Sequence, residues 1–469
     1  MTGPEDLANA ERAFLLAPAG CGKTELIAAA IASSASGRQL VLTHTHAGVG
    51  ALRARLLRFG VPPRSFHVDT IAGFALRYAS GYPATSGLTE LQPTGGGWAA
   101  VYGAAQRVLT GRIGLEVLRA SYDGIYVDEY QDCTADQHAV ILALAEARPC
   151  RVLGDPLQGI FGFAGKLVDW DDDVAPEFEE LPSLSTPWRW VTSNPALGEW
   201  LLGIREALSA RQPLDLTGAP IALDESTPNK QVAACHRAAV AGGSVVGIRK
   251  WAHDAHGVAR KLGGRFTSME EMDCNDLLKY CERLETTTGP ARAEVVVDFA
   301  IECMTAVSTA LAVTRKKLAA GETPRPKDGT KITSAVIALS EVASSTDPRA
   351  ISRALAALAA IDGAKVYRRE LLSEMRRTAT AVAEGSFESL PEAAWAIRDR
   401  ARHTLRTLDA KLISRTLLVK GLEFDRCIVL DASELDARNL YVALTRGSTS
   451  LTVLTKGGSS TVLYSGVKQ

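Results

Sequence analysis

Residues 122–133 read YDGIYVDEYQDC. Ile125, Tyr126 and Val127 have the β-branched and aromatic character of a short buried strand. Asp128 and Glu129 follow where that strand should end. In an open α/β sheet, ligands sit just outside the carboxyl ends of the strands. A carboxylate there can hold Mg²⁺ on a nucleotide, and a second can orient a water. Asp128 is thus the candidate metal holder and Glu129 the candidate water-orienting group.

Working outward, residues 13–16, AFLL, read as another strand. They run into Ala17, Pro18, Ala19, Gly20, Cys21, Gly22, Lys23 and Thr24, followed by the helix-like ELIAAAIASS. Strand, glycine-rich turn and helix is a phosphate-loop layout. Backbone N–H groups and the helix N-terminus face the phosphates, Lys23 reaches the outer ones, and Thr24 helps to hold Mg²⁺. Ala17 stands where the general pattern GxxxxGK[ST] has its first glycine.

Taken together, Asp128-Glu129-Tyr130-Gln131-Asp132 and the AxAGCGKT loop resemble motif II and the phosphate loop of the UvrD/Rep/PcrA-like superfamily 1A helicases, whose loop commonly reads AxAGxGKT. The resemblance implies two RecA-like P-loop domains of α/β class, with parallel sheets, facing each other across ATP. It also implies Mg²⁺ as cofactor and single-stranded DNA, or a DNA end, as partner. The direction it implies is 3′ to 5′, which the residues themselves do not show.

Further stretches match in family order. THTHAG (43–48) lies where motif Ia is expected, with Thr43 matching and His44 replacing a phenylalanine; a histidine ring can still stack on a base. His44 and His46 have a metal-like spacing but no partner pattern. Thr70 matches the phosphate-contacting threonine of motif Ib. CRVLGDPLQGIFGFAG (150–165) resembles motif III: Gln158 is expected to sense γ-phosphate and Phe163 to stack on a base, while Ala164 replaces an arginine. LSTPWRWVTSN (184–194) resembles motif IV, so Arg189 is expected at the γ-phosphate and Trp188 on adenine. KGLEFD (420–425) resembles motif V, with Gly421 at a nucleotide-responsive turn and Glu423 on the ribose. RNLYVALTR (438–446) resembles motif VI, with Arg446 as the second arginine finger. The adenine-reading glutamine usual upstream of the loop is missing; the first glutamine is Gln39.

The 469 residues suggest about three domains as a soft prior. A net charge of −1 excludes global electrostatic steering, leaving local patches and backbone amides for nucleic-acid contact. The 8 cysteines form no CxxC pair, which argues against a zinc ribbon and for free thiols in a reducing cytosol. The N-terminus lacks a basic start and a long apolar run, and no membrane span is evident, so a cytoplasmic protein is expected.

The expected organisation is a RecA-like domain 1A at 1–78 and 122–205, a reduced 1B insertion at 79–121, a domain 2A at 213–255 and 411–469, and a mainly helical 2B-like insertion at 256–410. The acidic run 169–180, DWDDDVAPEFEE, reads as a solvated loop. Two function classes stay open: a translocating DNA helicase, or an ATPase switch that gates a partner nuclease. The compact form resembles the helicase-like subunit of Gabija-type antiviral defence, which implies an OLD-family-like nuclease partner; DNA repair is the other setting. A small-molecule kinase is disfavoured by DEYQD and the two fingers.

Overall fold

The computed structural model describes residues 1–33, 37–90, 93, 96–162, 165–271, 274–403 and 409–466. Six strands form the first sheet: β1 (Arg12–Leu16), β2 (Gln39–Thr43), β3 (Phe66–Thr70), β4 (Gly124–Val127), β5 (Cys150–Gly154) and β6 (Glu179–Leu181). Their order is β3-β2-β4-β5-β1-β6, and every pairing is parallel. Strands covered on both faces read as near-continuous apolar runs, as the fully buried β2, β4 and β5 do. Successive side chains go to opposite faces. Leu15, Val41, Tyr126 and Leu153 join one core, under the helices Lys23–Ser33 and His46–Arg58. Phe14, Leu40, Leu42, Ile125, Val127 and Val152 join the other, under Ile71–Gly81, Gly97–Thr110 and Ala135–Ala145.

Within residues 79–121, the helix Gly97–Thr110 buries Val101, Tyr102, Ala104, Ala105, Val108 and Leu109 in that second core. This helix therefore lies on the sheet as part of its cover. The acidic run is not a free loop. Trp170, Val174 and Phe178 are buried in the same core, and Glu179–Leu181 pairs with β1. Acidic residues mask this anchoring in the sequence because they alternate with the aromatic and aliphatic groups that carry it.

Leu214–Asp215 forms β7, outside both large sheets. The second six-stranded sheet contains β8 (Ala222–Glu225), β9 (Val245–Arg249), β10 (Thr267–Ser268), β11 (Lys411–Arg415), β12 (Phe424–Val429) and β13 (Gly447–Thr455), in the order β10-β11-β9-β12-β13-β8 and again parallel. β14 (Thr461–Val462) pairs antiparallel with β7. The edge strand β10 falls inside the stretch 256–410. Past it the described residues as far as 403 are mainly helical, with a core of Leu277, Phe299, Leu339, Leu355 and Leu371 among others. The two sheets share a further core in which Ala19, Leu157 and Trp190 meet Val246, Val429, Tyr441 and Leu444. All eight cysteines are buried and free. Among the described residues no helix is long and apolar enough to cross a membrane.

Candidate nucleotide site at the junction of the two sheets

The loop after β1 turns on Gly20 (φ +73°) and Gly22 (φ +88°), a backbone region that L side chains rarely adopt. A Cβ on Gly20 would also stand 2.5 Å from the Trp190 ring. Among the described residues, no backbone hydrogen bond inside the protein uses the N–H of Gly20, Gly22, Lys23 or Thr24. Unpartnered N–H groups at the start of the 11-residue helix Lys23–Ser33 make an anion site. Lys23 is buried and its Nζ donates to the Ala17 carbonyl at 3.1 Å. Thr24 Oγ1 donates to Asp128 Oδ2 at 2.9 Å, joining the loop to the end of β4. Cys21 is buried in this turn, and burial pushes its thiol up to about 11 despite nearby Lys23.

Glu129 adopts φ +59°, a left-handed conformation for a non-glycine residue. Gln131 supports it: its Nε2 donates to Glu129 Oε2, while its Oε1 accepts the Asp155 N–H at 3.0 Å. The two adjacent carboxylates are driven apart. Burial and the Glu129 charge raise Asp128 above the ordinary carboxylate range. Burial also opposes the charge on Glu129, but Lys23, Lys420, the Gln131 hydrogen bond and Arg446 outweigh it and hold Glu129 low. Glu129 is thus the ionised member of the pair, which suits a group that orients water.

The second sheet brings the remaining cations. Arg446 is buried and donates to the carbonyls of Val442 (2.8 Å) and Leu422 (3.0 Å), with its Nη2 at 3.5 Å from Gln158 Oε1. Burial, then repulsion from Arg189, pushes Arg446 down to about 10. Arg189 donates to the Thr445 carbonyl at 2.7 Å and pairs with Glu423 at 2.5 Å. Glu423 therefore meets an arginine here. Gly421 takes φ +78° with open space around it. Trp188 is 62 % exposed, and its ring lies 3.3 Å from where a Cβ on Gly22 would be. Gln158 donates to Asp155 Oδ2 at 3.0 Å.

Several participants escaped the motif reading. Lys420 crosses from the second half to Asp132 and to the Gln158 carbonyl. Trp190, buried, donates to the Gly447 carbonyl at 2.7 Å. Asp155, Arg205 and Tyr441 form a network beneath the loop. Lys420, Asp155 and Tyr441 lie inside matched motifs, so position was a signal; Arg205 had none.

Residues 103–169 match the family described as UvrD/REP helicase N-terminal domain. That segment contains Asp128, Glu129 and Gln158. The match spans β4, the turn after it and β5. Among solved structures, the Pif1 helicase from Candida albicans is similar, with a TM-score of 0.43 and 10% identity over 99% of this chain and 96% of that chain. No curated protein matches the sequence significantly.

The nucleic-acid candidates are only partly gathered. Thr43 ends β2 and is buried. His44, half-buried, has Nε2 at 3.5 Å from Cys133 Sγ, and burial followed by the charge of Lys420 pushes its ring down to about 3. It is a neutral ring facing inward to Cys133. Thr70 Oγ1 accepts the Gly73 N–H at 2.9 Å and so caps the helix Ile71–Gly81. Phe163, and with it Ala164, lies outside the described residues.

Proposed function

We propose that the chain binds and hydrolyses Mg-ATP in this cleft when single-stranded DNA is present, and that closure of the cleft moves it along the strand, 3′ to 5′. One observation carries the reading. Thr24 is bonded to Asp128, the charges of Lys420 and Arg446 from the other half act on Glu129, and among the described residues the N–H groups of Gly20, Gly22, Lys23 and Thr24 have no backbone partner. Thr24 Oγ1 and Asp128 Oδ2, 2.9 Å apart, suit Mg²⁺, which when bound neutralises charge on the β- and γ-phosphates. Lys23, Arg189 and Arg446 leave their carbonyl partners for phosphate oxygens. Glu129 orients the attacking water, Gln158 reports the γ-phosphate to the DNA side, and Trp188 stacks on the base. In domain terms, 1–78 with 122–205 act as 1A, 79–121 as a reduced 1B, 213–255 with 411–469 as 2A and 256–410 as a 2B-like insertion. Thr43, His44, Thr70 and Phe163 are the proposed contacts to DNA.

A second reading has its own support. Helix Gly97–Thr110 is spent on covering the first sheet, so the described residues of 79–121 offer no separate module to grip duplex. The chain then acts as a DNA-sensing ATPase in the cytoplasm, gating an OLD-family-like nuclease in antiviral defence, or a repair nuclease. Strand displacement on a 3′-tailed duplex, run beside DNA-stimulated ATPase at one salt concentration, separates the two. Efficient unwinding by the isolated chain favours the autonomous helicase. ATPase with little unwinding, rescued by a nuclease partner, favours the switch. Hydrolysis indifferent to DNA sinks both.

A further inference from the structure

We infer that Arg205 and Tyr441 are positioning residues that couple the phosphate loop to the second sheet, so that nucleotide and DNA affinity are linked through them. The inference rests on the ATP and DNA reading above.

Asp155 is fully buried at the end of β5. Its carboxylate accepts the Ala19 N–H at 3.0 Å, the Leu157 N–H at 3.3 Å, Gln158 Nε2 at 3.0 Å, and both terminal nitrogens of Arg205 at 2.8 and 2.9 Å. A bidentate arginine fixes the direction of such a carboxylate as well as its charge. The same guanidinium lies 5.1 Å over the Tyr441 ring and donates to its hydroxyl at 2.5 Å. That hydroxyl also accepts the Ala19 N–H, at 3.2 Å.

One N–H in the phosphate loop is therefore shared between Asp155 on its own side and Tyr441 on the other. Tyr441 belongs to the helix Ala437–Leu444, and Arg446 follows directly after that helix's C-cap, Thr445. A rigid shift of this helix moves Tyr441 from Ala19 and Arg446 from Gln158 together. Conversely, phosphate seating that moves the loop backbone changes how well Ala19 meets Tyr441. Neither Arg205 nor Tyr441 touches the N–H groups of Gly20, Gly22, Lys23 or Thr24, so their part is positional. Lysine cannot replace Arg205, because the three donations come from a planar fork.

The test is the affinity for a fluorescent oligo-dT strand, with and without a non-hydrolysable ATP analogue, in wild type, Tyr441→Phe and Arg205→Lys. Coupled sites typically shift each other by about 5- to 150-fold. Wild type should fall in that range. In Tyr441→Phe the shift should shrink to below about threefold, while each ligand alone binds as before. Arg205→Lys should do the same; if it fails to fold, Tyr441→Phe, which removes one hydroxyl, decides. Variants that couple as strongly as wild type overturn the inference and leave the functional reading standing. Wild type that binds both ligands independently also overturns it. Wild type that binds no DNA removes the functional reading and this inference with it.

Discussion

Two clusters of buried cations among the described residues are partnered differently. At the root of the helical region, Arg368 donates to both oxygens of Glu270 (2.8 and 2.6 Å) and to Asp276 (2.7 Å), and Arg398 to Glu374 (2.7 Å) and Glu370 (3.2 Å). Burial works against the charge on Arg368, yet the carboxylates win and its affinity for the proton is raised. In the cleft, Lys23 and Arg446 rest on backbone carbonyls, and Arg189 divides itself between a carbonyl and Glu423. A carbonyl satisfies an N–H but does not neutralise the charge. The root is an electrically closed joint. The cleft keeps positive charge available for a polyanion, at the expense of desolvated cations.

The sharpest break in this comparison comes from the cleft. Glu129→Gln should lower turnover by about 10²- to 10³-fold, on the scale of losing one preorganised group aimed at the reaction. ATP should still bind, because Thr24, Asp128 and Lys23 remain. Lys23→Ala should lose turnover by another route, through weakened ATP binding, since it removes a phosphate cation. Single-turnover hydrolysis beside equilibrium nucleotide binding separates the two. Near-wild-type hydrolysis by Glu129→Gln would remove the assigned role.

The root should respond in stability instead. Arg368→Met strands Glu270 beside the lost cation, and breaking one side of a buried pair costs about 3–5 kcal/mol. Urea unfolding should show that loss, while the ATPase rate per folded molecule stays near wild type below the transition. A variant that keeps full stability but loses ATPase would mean that the joint is part of the machinery.

Much of this contrast was legible beforehand because chemistry constrains spacing. A loop with glycines at positive φ before Lys23 and Thr24, and paired carboxylates at the end of an apolar strand, announce themselves in order. Strands such as Gln39–Thr43 were readable because both faces of the sheet are covered, which makes them apolar throughout. Other features had no local signature. Glu179–Leu181 is an edge strand with exposed glutamates, held by backbone pairing to β1. Thr267–Ser268 is too short to show a pattern. The Arg205–Asp155 pair spans 50 positions and Arg205–Tyr441 spans 236, so only the fold brings them together. The contact of His44 with Cys133 joins the end of β2 to the turn after β4, which the motif pattern does not describe.

A smaller effect probes the ion pair that bridges the halves. Burial raises Asp132 to about 6, outweighing the opposing pull of Lys420. Above that pH the carboxylate is charged and the bridge is made. Below it the proton removes the charge and the bridge is lost. DNA-stimulated ATPase in saturating Mg²⁺ should therefore weaken by a few-fold as pH falls through about 6. Saturating metal keeps Asp128 ionised, so its own titration stays out of the profile. Asp132→Asn should be lower throughout and lack this acid limb. An unchanged limb in the variant would assign the titration to another group.

The smallest expected change is in base choice. Trp188 offers a 62 % exposed indole beside the phosphate loop, and residues 1–16 contain no glutamine. Every base has a π face, so stacking adds affinity with little discrimination. Trp188→Ala should raise KM for ATP and GTP alike, by about 5- to 150-fold for a lost stack of about 1–3 kcal/mol. The ratio of kcat/KM between the two nucleotides should start within about tenfold and move by less than about twofold on substitution. Trp188→Phe should recover most of the lost affinity, because a phenyl ring still presents a face. Two outcomes count against the assignment. Strict ATP preference in wild type would require a polar group that reads the adenine edge. A large change in the ATP to GTP ratio in Trp188→Ala would mean that the indole selects the base as well as holding it. Paired competition assays on the three proteins, run with ATP and GTP in one mixture, measure the ratio directly and cancel differences in active fraction.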